Sequence, residues 1–317
     1  MSEPQRLKLG LYPTPLFKAS RLSHYLELKL YFKHESQAHF AMGGNKVRAI
    51  EYLFGDHTEW DAVVLAGGPQ SNFIRAASSA AKVLGKDVHC AFYGRQPEVP
   101  LGNYRLLQLL NATCAFSQDD LRESSEALAV QIARDLKQNG RRVKLVARGG
   151  ASPESTFGFY KLQLELERQL EGIGVVDHLI VPVGTGSMLS GLWIDRGRLL
   201  QVRRIWGISC SRPQREVTLH CRTQAQACAR KFGLSETLKN QVEITDRYLG
   251  AGYHQWSPEI SDTIALVARQ EGWFLDPVFG AKAFVGLLSL LKEGQIKKNE
   301  TVVFLNGGGE PEIFARE

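Results

Sequence analysis

The sequence predicts an α/β protein of two domains, each a parallel sheet flanked by helices. Three observations lead there. Short apolar runs alternate with longer amphipathic ones along most of the chain, and strand–helix alternation of that kind implies parallel strands joined by crossover helices. Glycine-rich turns follow several of the apolar runs, where strand-to-helix connections fall in such sheets. At 317 residues the chain also exceeds the usual size of a single domain, so two domains or one large α/β unit is expected.

In chain order, strands are expected at "LKLYFK" (28–33), "DAVVLAG" (61–67), "DVHCAFY" (87–93), "ATCAFS" (112–117), "RVKLVA" (142–147), "DHLIVPVG" (177–184), "RRIWGISC" (203–210) and "TVVFLNG" (301–307). Each is short, rich in β-branched or aromatic residues, and bounded by turn-forming residues. Helices are expected where apolar residues recur at helical spacing. One begins near Asn45, with Val47, Ile50, Leu53 and Phe54 on its apolar face. Others are read at 71–85, 103–110, 119–140, 153–172, 187–200 and 257–272, and one more follows the Asp276-Pro277 turn. A weak boundary falls in "ARGGASPES" (147–155), with no long linker, repeat or low-complexity tract.

Composition narrows the function classes. Hydrophobic residues make up 44% and charged residues 23%, ordinary for a globular protein with a sizeable core. The net charge of +6 comes from scattered basic residues that do not interleave with aromatics, so nucleic acid is not an expected partner. Cys90, Cys114, Cys210, Cys221 and Cys228 form an odd set with no CxxC pair, which points to reduced thiols and no metal site. No basic-then-apolar leader opens the sequence and no apolar run is long enough to span a bilayer, so a cytoplasmic protein with no membrane partner is expected.

The chemistry gathers at the turns. In "HFAMGGNKVRAIEYL" (39–53) Lys46 stands in the first helical turn, directly behind two glycines and Asn45. A cation there opposes the helix dipole. Capping explains Asn45; it does not explain the lysine. In "LAGGPQSNFIRAASSAA" (65–81) Gln70, Ser71 and Asn72 open an alanine-rich helix, and three small polar residues exceed what a cap requires. In "LIVPVGTGSMLSGL" (179–192) a buried strand runs into Gly184, Thr185, Gly186 and Ser187, a turn able to hold an anion through backbone N–H groups and hydroxyls. The spacing there is not GxGxxG, the next strand ends without the acidic residue that would hold a ribose, and no Gly-Lys-Ser/Thr follows. A monophosphate suits that turn better than a dinucleotide or a nucleoside triphosphate. In "VVFLNGGGEPEIFA" (302–315) three glycines after the last strand let backbone approach a flat ligand. A lysine, a monophosphate cradle and a glycine wall together describe pyridoxal 5'-phosphate, whose aldehyde needs an amine.

At these residues the chain resembles the 1-aminocyclopropane-1-carboxylate (ACC) deaminase and D-cysteine desulfhydrase family of pyridoxal-phosphate (PLP) enzymes. The resemblance runs from "YPTPL" (12–16) through "GGNKVR", "GGPQSN", "VGTGSMLSGL" and "EGWFLDPV" to "GGGEPEIF", and the pairing of GGNK with GGPQSN is its most specific part. It implies the tryptophan-synthase-β-like fold, with residues 1–46 and 151–317 as the large cofactor-binding domain and 47–150 as a smaller inserted domain. A homodimer is also implied. By position, Lys46 is the lysine that bonds the cofactor, and Asn72 the residue that contacts its phenolic oxygen. Thr185, Gly186 and Ser187 are the phosphate cradle, with Met188 where a threonine is often found, and Gly308 belongs to the glycine wall. Ser71 is placed to bind the substrate carboxylate and move a proton, and Tyr253 to line the substrate site.

The departures shape the functional reading. Phe279 stands where the family carries the tyrosine implicated in opening the cyclopropane ring, so ACC deamination is disfavoured. Gly280 and Gly307 stand at the two positions that could have supplied a partner for the pyridine nitrogen, which suits elimination or replacement at Cβ. "KHES" (33–36) and Phe73 suggest a reshaped pocket. The expected function is a PLP-dependent lyase acting on a small amino acid, D-cysteine desulfhydrase-like or β-replacing. A PLP-binding protein with little or no turnover, sensing cofactor or amino acid, is the alternative.

Overall fold

A computed structural model describes residues 3–194, 198–239, 241–250, 252 and 255–315. Its strands are β1 (Leu16–Lys18), β2 (Lys29–His34), β3 (Ala62–Gly67), β4 (Asp87–Phe92), β5 (Thr113–Phe116), β6 (Val143–Val146), β7 (Val176–Val183), β8 (Val202–Ser209), β9 (Val242–Thr245) and β10 (Thr301–Asn306). The helices are α1 (Ser20–Leu26), α2 (Asn45–Leu53), α3 (Asn72–Val83), α4 (Gly102–Leu109), α5 (Arg122–Gln138), α6 (Pro153–Leu170), α7 (Ser187–Trp193), α8 (Gln214–Phe232), α9 (Pro258–Glu271) and α10 (Gly280–Lys292).

The strands form a six-stranded sheet in the order β1-β2-β10-β7-β8-β9 and a four-stranded sheet in the order β5-β4-β3-β6. All neighbours run parallel except the edge strand β1, which pairs antiparallel with β2. The fold is α/β, as the sequence predicted. Strands β3, β7 and β10 are buried almost throughout, and their near-continuous apolar runs suit strands covered by helices on both faces. One apolar cluster lies between the large sheet and α6 and α7, another between its opposite face and α10, and a third beneath α3 in the small sheet.

Two expectations change. The helix read at 187–200 ends at Trp193; Ile194 bridges to Leu238, and residues 195–197 lie outside the described set. Helix α8 had no counterpart in the sequence reading. Its buried positions, Val217, Cys221, Gln224, Ala225, Cys228 and Ala229, follow helical spacing but are small or polar, so no strong apolar stripe marks it. The cysteines are all free, four of them buried and Cys114 half-buried. Among the described residues no helix is long and apolar enough to cross a membrane, and no group of three or more His, Cys, Asp or Glu could hold a metal ion.

Candidate active site

An open cleft of about 990 Å³ lies at the carboxyl ends of β3, β7 and β10, between the two sheets. That is where ligands sit in open α/β folds. Lys46, Ser71, Asn72, Thr185, Gly308 and Phe279 all line it.

Lys46 is the second residue of α2. The entry to this helix is fixed from the large sheet, because Asn45 donates its backbone N–H to the Gly307 carbonyl just beyond β10 (2.8 Å). Gly308 has φ +75, and a Cβ there would sit 2.6 Å from the Gly44 Cα, so only glycine permits this approach. The lysine is half-buried, and desolvation lowers its pKa to about 8 with no carboxylate offsetting the effect. Burial explains the shift; the helix dipole is not needed for it.

Two residues further along α2, about half a turn, Arg48 faces the opposite way into a buried charged network. Its guanidinium binds Glu35 (2.9 Å) and Glu165 (3.1 Å), and Lys33 binds Glu165 and the Thr14 carbonyl. Burial opposes the Glu35 charge, yet Arg48 holds that carboxyl below its usual range. The "KHES" segment therefore serves this network. His34 packs on Trp273 and Phe32, and the segment does not reshape the cleft.

The QSN turn is clamped from α4. Asn103 donates its backbone N–H to Gln70 Oε1 (2.8 Å), and its side-chain amide to the Gln70 carbonyl (2.9 Å) and Asn72 Oδ1 (2.8 Å). Ser71 is the N-cap of α3: its Oγ accepts from the Ile74 N–H (3.3 Å), leaving the hydroxyl proton available to the cleft. Asn72 Nδ2 donates to Glu312, and an amide nitrogen carries a second donor.

The turn after β7 divides its duties. Thr185 faces the cleft with its Oγ1 buried and without a hydrogen-bond partner, so the site holds an unspent polar group where an anion is expected. Ser187 turns inward and donates to Gln224 Oε1 (2.9 Å), while Gln224 Nε2 holds the Thr185 carbonyl (2.8 Å). Gly186 lies against Cys221 of α8. Neither Gly186 nor Ser187 lines the cleft. Tyr253 lies outside the described residues.

The sequence reading missed three groups. Glu312 is a buried carboxylate whose pKa burial raises well above the usual range, and it braces Asn72. Asp276 Oδ1 accepts from the N–H groups of Val278 (2.9 Å) and Phe279 (2.7 Å), and Oδ2 from that of Gly280 (2.7 Å), fixing the start of α10; burial pushes its pKa up to about 7. Arg122, Arg148 and Arg212 reach the cleft from three separate loops. The only sequence signal for these was position: each arginine lies within a few residues of a strand end or helix start.

The residues present fit PLP: an unpaired amine, an orphaned buried hydroxyl in a glycine turn, and a glycine wall opposite. Comparison with known proteins agrees. A family model described as "Pyridoxal-phosphate dependent enzyme" matches residues 7–308. A putative ACC deaminase of Pyrococcus furiosus is 31% identical over 98% of this chain and 93% of its own length. A D-cysteine desulfhydrase of Yersinia pestis is likewise 31% identical, over 98% and 95%. Among solved structures, an ACC deaminase homologue superposes with a TM-score of 0.90 at 28% identity, covering 99% of this chain and 94% of the other. A threonine deaminase of Solanum lycopersicum, at TM-score 0.68 and 17% identity over 95% of this chain and 80% of the other, shares the fold. The fold is thus the tryptophan-synthase-β-like one, the cofactor is pyridoxal 5'-phosphate, and the chain belongs to the ACC deaminase and D-cysteine desulfhydrase family of PLP-dependent enzymes.

Proposed function

We propose that this enzyme is a lyase that removes the α-proton of a small amino acid and expels its Cβ substituent, releasing ammonia and a keto acid. The observation that carries the reading is Lys46, an amine desolvated and without a counter-charge in the same cleft as the Ser71 and Thr185 hydroxyls. When bound, PLP supplies an aldehyde for the lysine and a ring that withdraws electrons from the substrate Cα.

The chain's own residues do the rest. With a pKa of about 8, roughly a tenth of Lys46 is neutral at pH 7, against well under a thousandth for an ordinary lysine, so Lys46 can bond the aldehyde and later accept the α-proton. The Thr185 hydroxyl would hold the phosphate, on a turn that Gly186 and Ser187 fix from behind through Cys221 and Gln224. Asn72, braced by Asn103 and Glu312, turns its remaining N–H to the phenolic oxygen, and Gly308 lets the ring lie close. The Ser71 hydroxyl donates to the substrate carboxylate, and Tyr253 lines the substrate side. Phe279 presents a ring with no hydroxyl, so no acid or base stands where ring opening of ACC needs one. A D-cysteine-like thiol is the substrate type that the resemblance favours, and a thiol acceptor in place of water would make the same site β-replacing. The reading also takes residues 1–46 and 151–317 as the cofactor domain, 47–150 as the smaller domain, and the active species as a cytoplasmic homodimer. These rest on the family resemblance, and sedimentation of the purified protein tests the dimer.

The holoenzyme should show a visible absorbance band that Lys46→Ala abolishes. It should release keto acid from D- or L-cysteine, or from β-chloroalanine, and none from ACC. A band that amino acids shift without any keto acid appearing would replace this reading with a PLP-binding protein that does not turn over.

A further inference from the structure

Two buried polar atoms in the cleft wall, Thr185 Oγ1 and Arg148 Nη1, have no hydrogen-bond partner among the described residues. A third, Arg75 Nε, belongs to a guanidinium already turned to the carbonyls of Ala41 and Gly43. The first two come from different sheets. Thr185 follows β7 of the large sheet, and Arg148 follows β6 of the small one. A buried polar group left unpaired is costly unless a ligand satisfies it, so a neighbouring pair of them marks where a ligand belongs.

Gly149 makes them neighbours. Its φ of +70 suits glycine, and a Cβ there would lie 2.3 Å from Thr185 Cγ2 and 3.2 Å from Thr185 Oγ1. The backbone immediately after Arg148 therefore rests on the Thr185 side chain. His220 of α8 hydrogen-bonds the Thr185 backbone, and its pKa is lowered by burial first and then by Arg212 and Arg148, which puts both arginines close to that turn. The carboxylate paired with Arg148 does not satisfy it. Glu126 meets Nε at 3.7 Å, is 46% exposed and leaves Nη1 unmet.

We propose that Arg148 is a ligand of the cofactor phosphate, so that the anion is held from both sheets, by Thr185 on one side and by the Arg148 guanidinium on the other. This rests on the placement of the phosphate at Thr185 given above. A phosphate monoester near neutral pH carries about −1.5 to −2 charges and three acceptor oxygens, more than one hydroxyl can satisfy. The planar fork of a guanidinium matches two of those oxygens at once. Neither sheet alone then completes the site, and the bound cofactor ties the small sheet to the large one.

In the test, full-length apo-protein is titrated with PLP and with pyridoxal, which lacks the phosphate, following the visible band. The ratio of the two affinities isolates the phosphate contacts, and the hemiacetal that free pyridoxal forms cancels between variants. Arg148→Gln should lower the ratio by about tenfold or more, the order of one charge-assisted hydrogen bond, with pyridoxal affinity unchanged and Arg148→Lys intermediate. An unchanged ratio overturns the proposal, and weaker amino-acid binding by that holoenzyme would then assign Arg148 to the substrate. Equal loss of both affinities overturns it too, leaving the arginine a structural support. If Arg148→Gln does not fold, Arg148→Lys decides: a ratio about threefold or more below wild type upholds the proposal, and a wild-type ratio refutes it. Thr185→Val checks the phosphate placement separately. A ratio unchanged by that substitution sinks the placement, while the Arg148 result stands or falls by itself.

Discussion

Replacing Lys46 with methionine should make the cofactor-free protein more stable. An ordinary lysine titrates near 10.5 and Lys46 near 8, because burial strips water from its ammonium with no compensating charge. Methionine has a similar length and carries no charge. The shift spans about 2.5 units, and at about 1.4 kcal/mol per unit the folded state bears a penalty of about 3 kcal/mol when the amine is protonated in both states. The sign follows from proton binding. Between pH 8 and 10.5 the unfolded chain binds more protons than the folded one, so wild-type stability rises with pH across that window. Below it the full penalty applies, and above it none remains. In urea unfolding of the two apo-proteins, Lys46→Met should therefore be more stable by about 3 kcal/mol at pH 7 and by only about 1 kcal/mol at pH 9.5. Equal stability at pH 7, or a gap that does not narrow with pH, would refute a desolvated amine at this position. Loss of stability for the sake of function is the general pattern at active sites.

Gly308→Ala forces a Cβ to 2.6 Å from the Gly44 backbone in a left-handed conformation, and should cost about 1–3 kcal/mol and weaken PLP binding at least tenfold, read by thermal unfolding and cofactor titration. An unchanged Tm and affinity would show that the two glycine segments do not meet. Glu165→Gln leaves Lys33 and Arg48 short of a counter-charge in a buried network and should cost about 3–5 kcal/mol in denaturant unfolding; a loss under about 1 kcal/mol would contradict the network. Asp276, raised to about 7, binds protons more tightly folded than unfolded, so its contribution to stability declines as pH rises from about 4 through 7. Asp276→Asn should flatten that part of the pH–stability curve, and an unaltered slope would rule out the assignment.

The parts of the site that were legible in sequence are those set by local chemistry. Lys46, Ser71, Asn72, Thr185 and Gly308 each stand at a turn where strand meets helix or where glycine admits close approach, and the structure brings them to one cleft. Ser187 looked equivalent to Thr185, but its hydroxyl is claimed by Gln224 on α8, a helix hidden from the sequence reading by its small and polar buried face. Tertiary partners decide such cases. The arginines were illegible for a similar reason: each read singly is a solvated charge, and only the packing of loops from both sheets brings them together. Glu312 sat in plain view in "GGGEPEIF", yet its burial depends on the contact with Asn72 from the other side of the cleft.

Helix α2 is tethered at both faces, by Asn45 to the end of β10 and by Arg48 to Glu35 and Glu165. The reactive amine thus stands on a fixed post, moving only along its own flexible stem. The opposing lip, carrying Tyr93, Arg122 and Arg148, is built from the small sheet and shares none of those tethers. The two sides of the cleft are therefore anchored independently, so substitutions in that lip can be made while the reacting amine stays in register.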